Sequence, residues 1–212
     1  MRYQDTRHSR AFIVTLLALV LAPCASTRAV DGPAAVEVRG GTAAFDASTN
    51  VSAISIHGKS TALAGRARIV LNAGRMTIEG LDATVPVKTL NTGMGLRDEH
   101  MRKHVFTTPD GQIPDLRFSA DSASCSGTDV QSTCQLSGQL TVRGTPRPFA
   151  IALKVTRDGG AFRAVGDGIV KLSAYGIPQP SQLGVRTADE VVLHLDFLAR
   201  PASNPALMGG VQ

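Results

Sequence analysis

The sequence predicts an all-β protein of eight mainly antiparallel strands closed into a barrel, with one short helix between the third and fourth strands. Two observations carry this. From residue 50 onward apolar and polar residues alternate with a period of two, and clusters of Gly, Asn and Asp interrupt the alternation at intervals. The composition fits: 212 residues with 43% hydrophobic, 18% charged, 21 Gly and 11 Pro describe one ordinary globular domain and exclude collagen-like, coiled-coil and wholly disordered chains. Aromatics make up only 4% and Trp is absent, so the interior is filled by Val, Ile, Leu and Ala or left partly open. A stacking platform for nucleic-acid bases does not fit such a composition.

The eight runs lie near residues 51–57, 63–71, 75–87, 115–123, 134–143, 149–157, 162–172 and 190–198. In the last, Val191, Leu193, Leu195 and Phe197 share one face, and Glu190, His194 and Asp196 share the other. Phe149, Ile151, Leu153 and Val155 form a second stripe, and Leu136, Leu140 and Val142 a third. Between Ile78 and Leu81 the apolar parity changes from even to odd across Gly80, which predicts a β-bulge bending the third strand. The helix falls near residues 95–104, with Asn91 or Thr92 as its cap, Asp98 and Glu99 in its first turn, and Arg102, Lys103 and His104 at its end. Closure into an up-and-down barrel is the most direct way to remove the sheet's edges. An eight-stranded barrel is at the size where the interior is either just filled or holds one small ligand.

The N-terminus has the pattern of an export signal. Arg2, Arg7 and Arg10 precede an apolar run over residues 11–22, and Pro23 and the small residues Ala25, Ser26 and Ala29 follow. This run of twelve residues, apolar except for Thr15, falls short of the roughly 20 that a membrane-spanning helix needs. We therefore expect a signal peptide over residues 1–29, a barrel domain over 30–200, and a small, aperiodic, disordered tail over 201–212, with the mature protein exported to the periplasm. Pro23 stands where a lipoprotein signal needs Gly, Ala or Ser, which argues against acylation of Cys24. Cys125 and Cys134 then remain as an even pair in an oxidising compartment, and a disulfide joining two arms of a hairpin, with residues 126–133 as its turn, is the expected state. Beyond residue 29 the chain carries 18 basic and 16 acidic side chains with no clustered basic stripe, which removes nucleic acid from the expected partners.

Four segments point to a family. Thr89-Leu-Asn-Thr-Gly-Met-Gly-Leu-Arg97-Asp98-Glu99-His100-Met101, followed by Pro114-Asp-Leu-Arg-Phe118, resembles the signature of the YceI-like polyisoprenoid-binding family. Leu136-Ser-Gly-Gln-Leu-Thr-Val-Arg-Gly144-Thr-Pro-Arg-Pro148 resembles that family's paired strands around a Gly turn, Tyr175-Gly176-Ile177 its aromatic-Gly-Ile element, and the segment from Ala188 to Leu195 its closing strand. The resemblance runs over about residues 43–200 in the family's order. It implies an extended, lipocalin-like barrel in the bacterial periplasm, a long isoprenoid or similar lipid in its lumen, and a homodimer. One departure stands out: where the family usually has Asp-Phe-Phe after the helix, this chain has His104-Val105-Phe106.

Physical reasoning supplies a mechanism for such a lumen. A polyprenyl or isoprenoid-quinone tail offers only apolar surface, and each buried methylene contributes about 0.8 kcal/mol, so an apolar tube binds it without specific polar contacts. By parity the lumen residues are Ile54, Ile56, Ile69, Leu71, Ile78, Leu116, Phe118, Leu140, Val142, Ile151, Leu153, Leu193, Leu195 and Phe197. Arg97, Asp98 and His100 are expected as a polar clasp at the barrel mouth or a grip on a head group. The competing expectation is a packed-core barrel that acts through its surface as an interaction or structural protein. His100 and His104, four apart on the helix, share a face that suits a metal, but Met101-Arg102-Lys103 between them lacks a ligand or base and adds two cations. No nucleophile elbow, phosphate-cradling loop or CxxC pair occurs, so neither an enzyme nor a cofactor beyond a bound lipid is expected.

Overall fold

The computed structural model describes residues 33–202. Eleven strands run through it: β1 (Pro33–Arg39), β2 (Gly41–Thr49), β3 (Ser55–Ser60), β4 (Ala64–Asn72), β5 (Arg75–Val85), β6 (Leu116–Gly127), β7 (Gln131–Val142), β8 (Thr145–Asp158), β9 (Ala161–Lys171), β10 (Ser181–Gln182) and β11 (Val185–Pro201). Every named strand pairing is antiparallel. Eight strands, in the order β1-β4-β5-β6-β7-β8-β9-β11, close into a ring when the end of β11 returns to β1 at Val36↔Pro201 and Glu37↔Arg200. The β2–β3 hairpin extends the sheet from β11 at one end of this ring. The unpaired side of β3 is partly satisfied by Asn91, whose backbone exchanges two hydrogen bonds with Lys59.

The alternation seen in the sequence sets which side chains enter the ring. On β8, Ile151, Leu153 and Val155 are buried, whereas Ala150, Ala152 and Lys154 face water. On β7, Cys134, Leu136, Leu140 and Val142 are buried in the same rhythm. The bulge in β5 is present: Glu79 pairs with Arg68 but Asp82 with Arg66, and Gly80 takes φ 55, a left-handed conformation that costs a glycine little. Met76 and Ile78 therefore point inward before the bulge, and Leu81, Ala83 and Val85 after it.

The strand count differs from the expectation for an identifiable reason. Residues 33–49 form β1 and β2, a stretch the alternation from residue 50 did not include. In β2, Ala occupies both faces and blurs the contrast, although Val36-Glu37-Val38-Arg39 alternates plainly. Residues 51–54 are turn, and the strand there begins only at Ser55. The helix α1 (Gly95–Met101), with a wider π-type turn over Arg102–Phe106, has the expected residues but lies between β5 and β6. At the C-terminus β11 continues to Pro201 and Ala202 donates to Ala35 O, so the start of the expected tail belongs to the sheet. The signal-peptide assignment and the rest of the tail lie outside the described residues.

The disulfide joins Cys125 and Cys134, register partners on β6 and β7 with Cα atoms 4.0 Å apart, and the turn between these strands is only residues 128–130. On the outer face, four side chains form a ladder across β3, β2, β11 and β9. His57 donates to Asp46 (2.5 Å), and His194 stands between Asp46 (3.0 Å) and Asp167 (2.5 Å). The hydrogen bond with Asp167 is the main influence raising the His194 pKa above its ordinary value; burial opposes it, and Asp46 adds to the rise. Asp46 is held below its ordinary value chiefly by His57, against burial, with His194 assisting. The ladder fastens the β2–β3 hairpin to the body of the ring.

Candidate ligand-binding cavity

The ring is packed at one end and open at the other. Toward the end that carries the β4–β5 and β6–β7 turns, Ile69, Met76, Ala123, Cys134 and Phe162 are buried against one another and close the interior. Toward the end that carries α1 and the β2–β3 and β10–β11 turns, the interior opens into a cavity of about 670 Å³. That volume lies within the roughly 300–1,000 Å³ typical of pockets that engulf a small-molecule ligand. Its deep wall is apolar, from Phe45 and Ala47 on β2 through Phe118, Leu140, Ile151 and Leu153 to Leu193, Leu195 and Phe197 on β11. Small residues keep it wide. A side chain at Gly168 would collide with the Phe149 ring, which lies over that position and meets Phe118 edge-on at 5.8 Å.

Among the described residues, polar groups line the cavity in two places. At the mouth are Thr92, Arg97, His100, Ser181, Gln182 and Thr187; on the wall of β4 to β6, where Gly65, Ala67 and Ala83 make the barrier thin, are Arg66, Asp82 and Arg117, the last two 3.4 Å apart as an ion pair. Because Ile54, Met94 and Leu183 both line the cavity and stand exposed, it reaches solvent at the α1 end.

Of the expected lumen residues, Ile54, Ile56, Ile78, Leu116, Phe118, Leu140, Val142, Ile151, Leu153, Leu193, Leu195 and Phe197 line the cavity. Ile69 and Leu71 do not. Their parity is inward, but they sit toward the closed end of β4, where Ile69 faces Ile78 and Leu71 faces Met76 across the ladder and the interior is filled. Parity reports the face of a strand and is blind to position along it.

Arg97 and His100 line the cavity at its open end. Asp98 does not join them: it is buried, and its Oδ1 accepts from Thr92 N (2.8 Å) and Thr92 Oγ1 (2.6 Å). Burial works to raise this carboxyl's pKa, but the two Thr92 hydrogen bonds and the nearby Arg102 and Arg97 together hold it below its ordinary value. The expected capping is thereby reversed. Met94 precedes α1 without a side-chain cap, and an aspartate inside the helix ties down the loop before it. Arg102 adds a second tie through donations to Leu90 O (3.0 Å) and Lys88 O (3.4 Å). Ser60, almost fully buried, forms a third with Thr89 at 2.6 Å. These ties hold the 87–106 segment over the gap beside β3, so that Met101, Val105 and Phe106 complete the cavity wall. Val105 and Phe106 thus occupy the wall, while the departing residue His104 lies outside it with its ring 4.2 Å from that of His100. No cluster of three or more His, Cys, Asp or Glu side chains suited to a metal ion occurs among the described residues.

The sequence reading missed the cavity residues of β1 and β2, Val36, Val38, Ala43, Phe45 and Ala47, and the wall supplied by Met101, Val105 and Phe106. Alternation in residues 36–39 was the available signal for the first group. The second had none, since an apolar residue on a short irregular helix has no parity to read.

Fold and cavity together define a class: closed antiparallel β-proteins that enclose one apolar pocket beneath a short helical cover. A family model described as the YceI-like domain matches residues 25–199, and the chain belongs to that family. Solved structures with the same fold include a polyisoprenoid binding domain from Saccharophagus degradans, described as implicated in plant cell wall breakdown (13% identity, TM-score 0.59, covering 80% of this chain and 99% of that one). BcnA of Burkholderia cenocepacia is similar (16% identity, TM-score 0.57, 75% and 95%), as is the YCEI protein of Campylobacter jejuni (17%, 0.54, 69% and 85%). Among curated proteins no sequence matches the chain. No helix among the described residues is long and apolar enough to cross a membrane.

Proposed function

We propose that this protein is a periplasmic binding or carrier protein for a long apolar lipid, a polyisoprenoid or isoprenoid quinone, whose chain lies in the cavity with its polar end near Arg97 and His100. The observation that carries the reading is the cavity itself: about 670 Å³ of space bounded by apolar side chains and open at one end. The packed-core alternative describes the closed end of the ring and leaves this volume without a purpose. Membership of the YceI-like family and the fold shared with a polyisoprenoid binding domain support the choice of ligand class. Export is supported by the N-terminal signal pattern and by a structural disulfide, which persists in oxidising compartments. Binding without catalysis is part of this proposal, and membership of the YceI-like family supports it.

Protein recovered from a bacterial periplasm without detergent, extracted with organic solvent and analysed by mass spectrometry, is expected to yield a stoichiometric isoprenoid lipid. Absence of any lipid, together with no uptake when one is offered, would return the interior to a structural role.

A further inference from the structure

Nine large hydrophobic residues are exposed among the described residues, and six of them, Val51, Ile54, Met94, Leu96, Ile113 and Leu183, belong to the loops and helix at the end where the cavity opens. Ile54, Met94 and Leu183 also line the cavity, so its apolar wall continues outward onto this rim.

Leu183 is the sharpest case. It is 97% exposed and sits at φ 50, with Gly184 at φ 82, in the two-residue turn joining β10 to β11. Both central residues of such a turn take left-handed conformations, which favours Asn or Asp at the first and disfavours a bulky side chain. The other two-residue turns of this kind among the described residues place Ala73, Arg143 and Gly159 there. At Leu183 the solvent and the backbone each argue against leucine, so its presence points to an apolar environment met outside the folded chain.

The charge around the rim indicates what that environment is. At the same end Lys88, Lys103 and Arg186 are exposed and Arg97 is half-exposed, and none is in a salt bridge among the described residues. Three of the carboxylates there are engaged locally, Asp98 by Thr92, Asp115 by Val87 N, and Asp189 by Ser173, while Glu99 and Asp110 are exposed and in no salt bridge among the described residues, two against the four cations. Separate apolar tips on several loops, interspersed with free cations, match an anionic bilayer, where tips enter the acyl boundary and cations meet head groups.

We propose that the open rim docks on an anionic lipid surface, placing the cavity mouth against the bilayer so that an apolar chain passes between membrane and lumen without crossing water. The part about cargo rests on the binding function above; the docking itself does not. The test is co-sedimentation with vesicles of phosphatidylglycerol and phosphatidylcholine, set against phosphatidylcholine alone. The wild type is compared with Leu183→Asn, Leu96→Gln and, at the opposite end, Val130→Asn, all carrying the same N-terminus so that its contribution cancels. We expect binding to the anionic vesicles that weakens with salt, about tenfold loss for each rim variant, as burying a leucine warrants, and no loss for Val130→Asn. No sedimentation by the wild type, or equal binding by the rim variants, overturns the proposal. Uptake of a fluorescent polyene fatty acid from solution separates the two readings. Leu96 does not line the cavity, so Leu96→Gln should take up the probe as the wild type does. Normal uptake without vesicle binding assigns the rim to a protein partner and rejects the bilayer. Vesicle binding by a protein that takes up nothing rejects the cavity reading and leaves docking standing.

Discussion

If the upper interior is open space, enlarging a residue on its wall must affect ligand and fold differently from enlarging one at the closed end. Ala43 on β2, opposite Leu195 and Ser60, is half-buried and lines the cavity. Ala43→Leu adds three carbon atoms that have room to enter it. A bound chain that must withdraw about three methylenes to make way loses about 2.4 kcal/mol, a roughly 60-fold rise in Kd. Ala123 on β6 is buried in the packed end and does not line the cavity. There Ala123→Leu must force neighbours apart, at about 1–3 kcal/mol of stability, and should leave Kd unchanged. The assay is paired: urea unfolding of the lipid-free proteins and titration with a fluorescent lipid. The expected pattern is a normal unfolding midpoint with weakened binding for Ala43→Leu, and the converse for Ala123→Leu. Equal destabilisation by the two substitutions, with binding intact in both, would refute the view that one end is open and the other filled.

Three further outcomes follow from the geometry. Asp98→Ala leaves the Thr92 N–H and hydroxyl without their acceptor and should cost about 1–3 kcal/mol, with Asp98→Asn losing less; thermal melts of the lipid-free protein check both. Replacing Cys125 and Cys134 together with Ser opens a loop with ends nine residues apart and should lower stability by about 2.5–3 kcal/mol in the chain-entropy model, measured by urea titration against the oxidised wild type. The outer ladder should make stability depend on pH in a definite sense. His194 has a raised pKa, so its contribution is complete below the unfolded value of about 6.5 and disappears as pH rises through the folded value. Asp46 has a lowered one, so its contribution is complete above about 3.9 and disappears as pH falls through the folded value. The wild type should therefore exceed His194→Gln in stability most between about pH 4 and 6.5, by no more than about 1 kcal/mol for so exposed a group. A difference that grows above pH 8 would contradict this sign.

The sheet and much of the pocket wall were legible in the sequence because period-two alternation is a direct consequence of strand geometry, and β8 over residues 149–155 and β11 over residues 193–197 display it plainly. The bulge at Gly80 was legible for the same reason, as a change of phase. What escaped has physical causes of three kinds. Alanine on both faces of β2 erased the contrast that alternation needs. Depth along a strand has no signature in parity, so Ile69 and Leu71 read as pocket residues while packing toward the closed end. The role of Asp98 depended on which partner accepts and which donates: the short polar residues before the helix looked like its caps, and only the fold reveals that the helix's aspartate restrains them.

The unequal packing of the two ends bears on how such a protein remains folded with a hole in it. A cavity lined by apolar atoms forfeits contacts that a filled core would have, and that loss must be made good elsewhere. Closure of the ring through β1 and β11 leaves, among the described residues, the outer side of β3 as the sheet's free edge, partly met by Asn91, so the backbone hydrogen bonds that hold the ring's shape do not depend on what fills the interior. The disulfide and the buried cluster of Ile69, Met76, Cys134 and Phe162 secure the closed end. At the open end the covering segment is held by polar ties, Asp98 to Thr92, Arg102 to Leu90 and Ser60 to Thr89, which do not require a filled pocket beneath them. A cover fastened in this way can stay in place whether the cavity is empty or occupied, as the proposed loading and release of a lipid without unfolding requires.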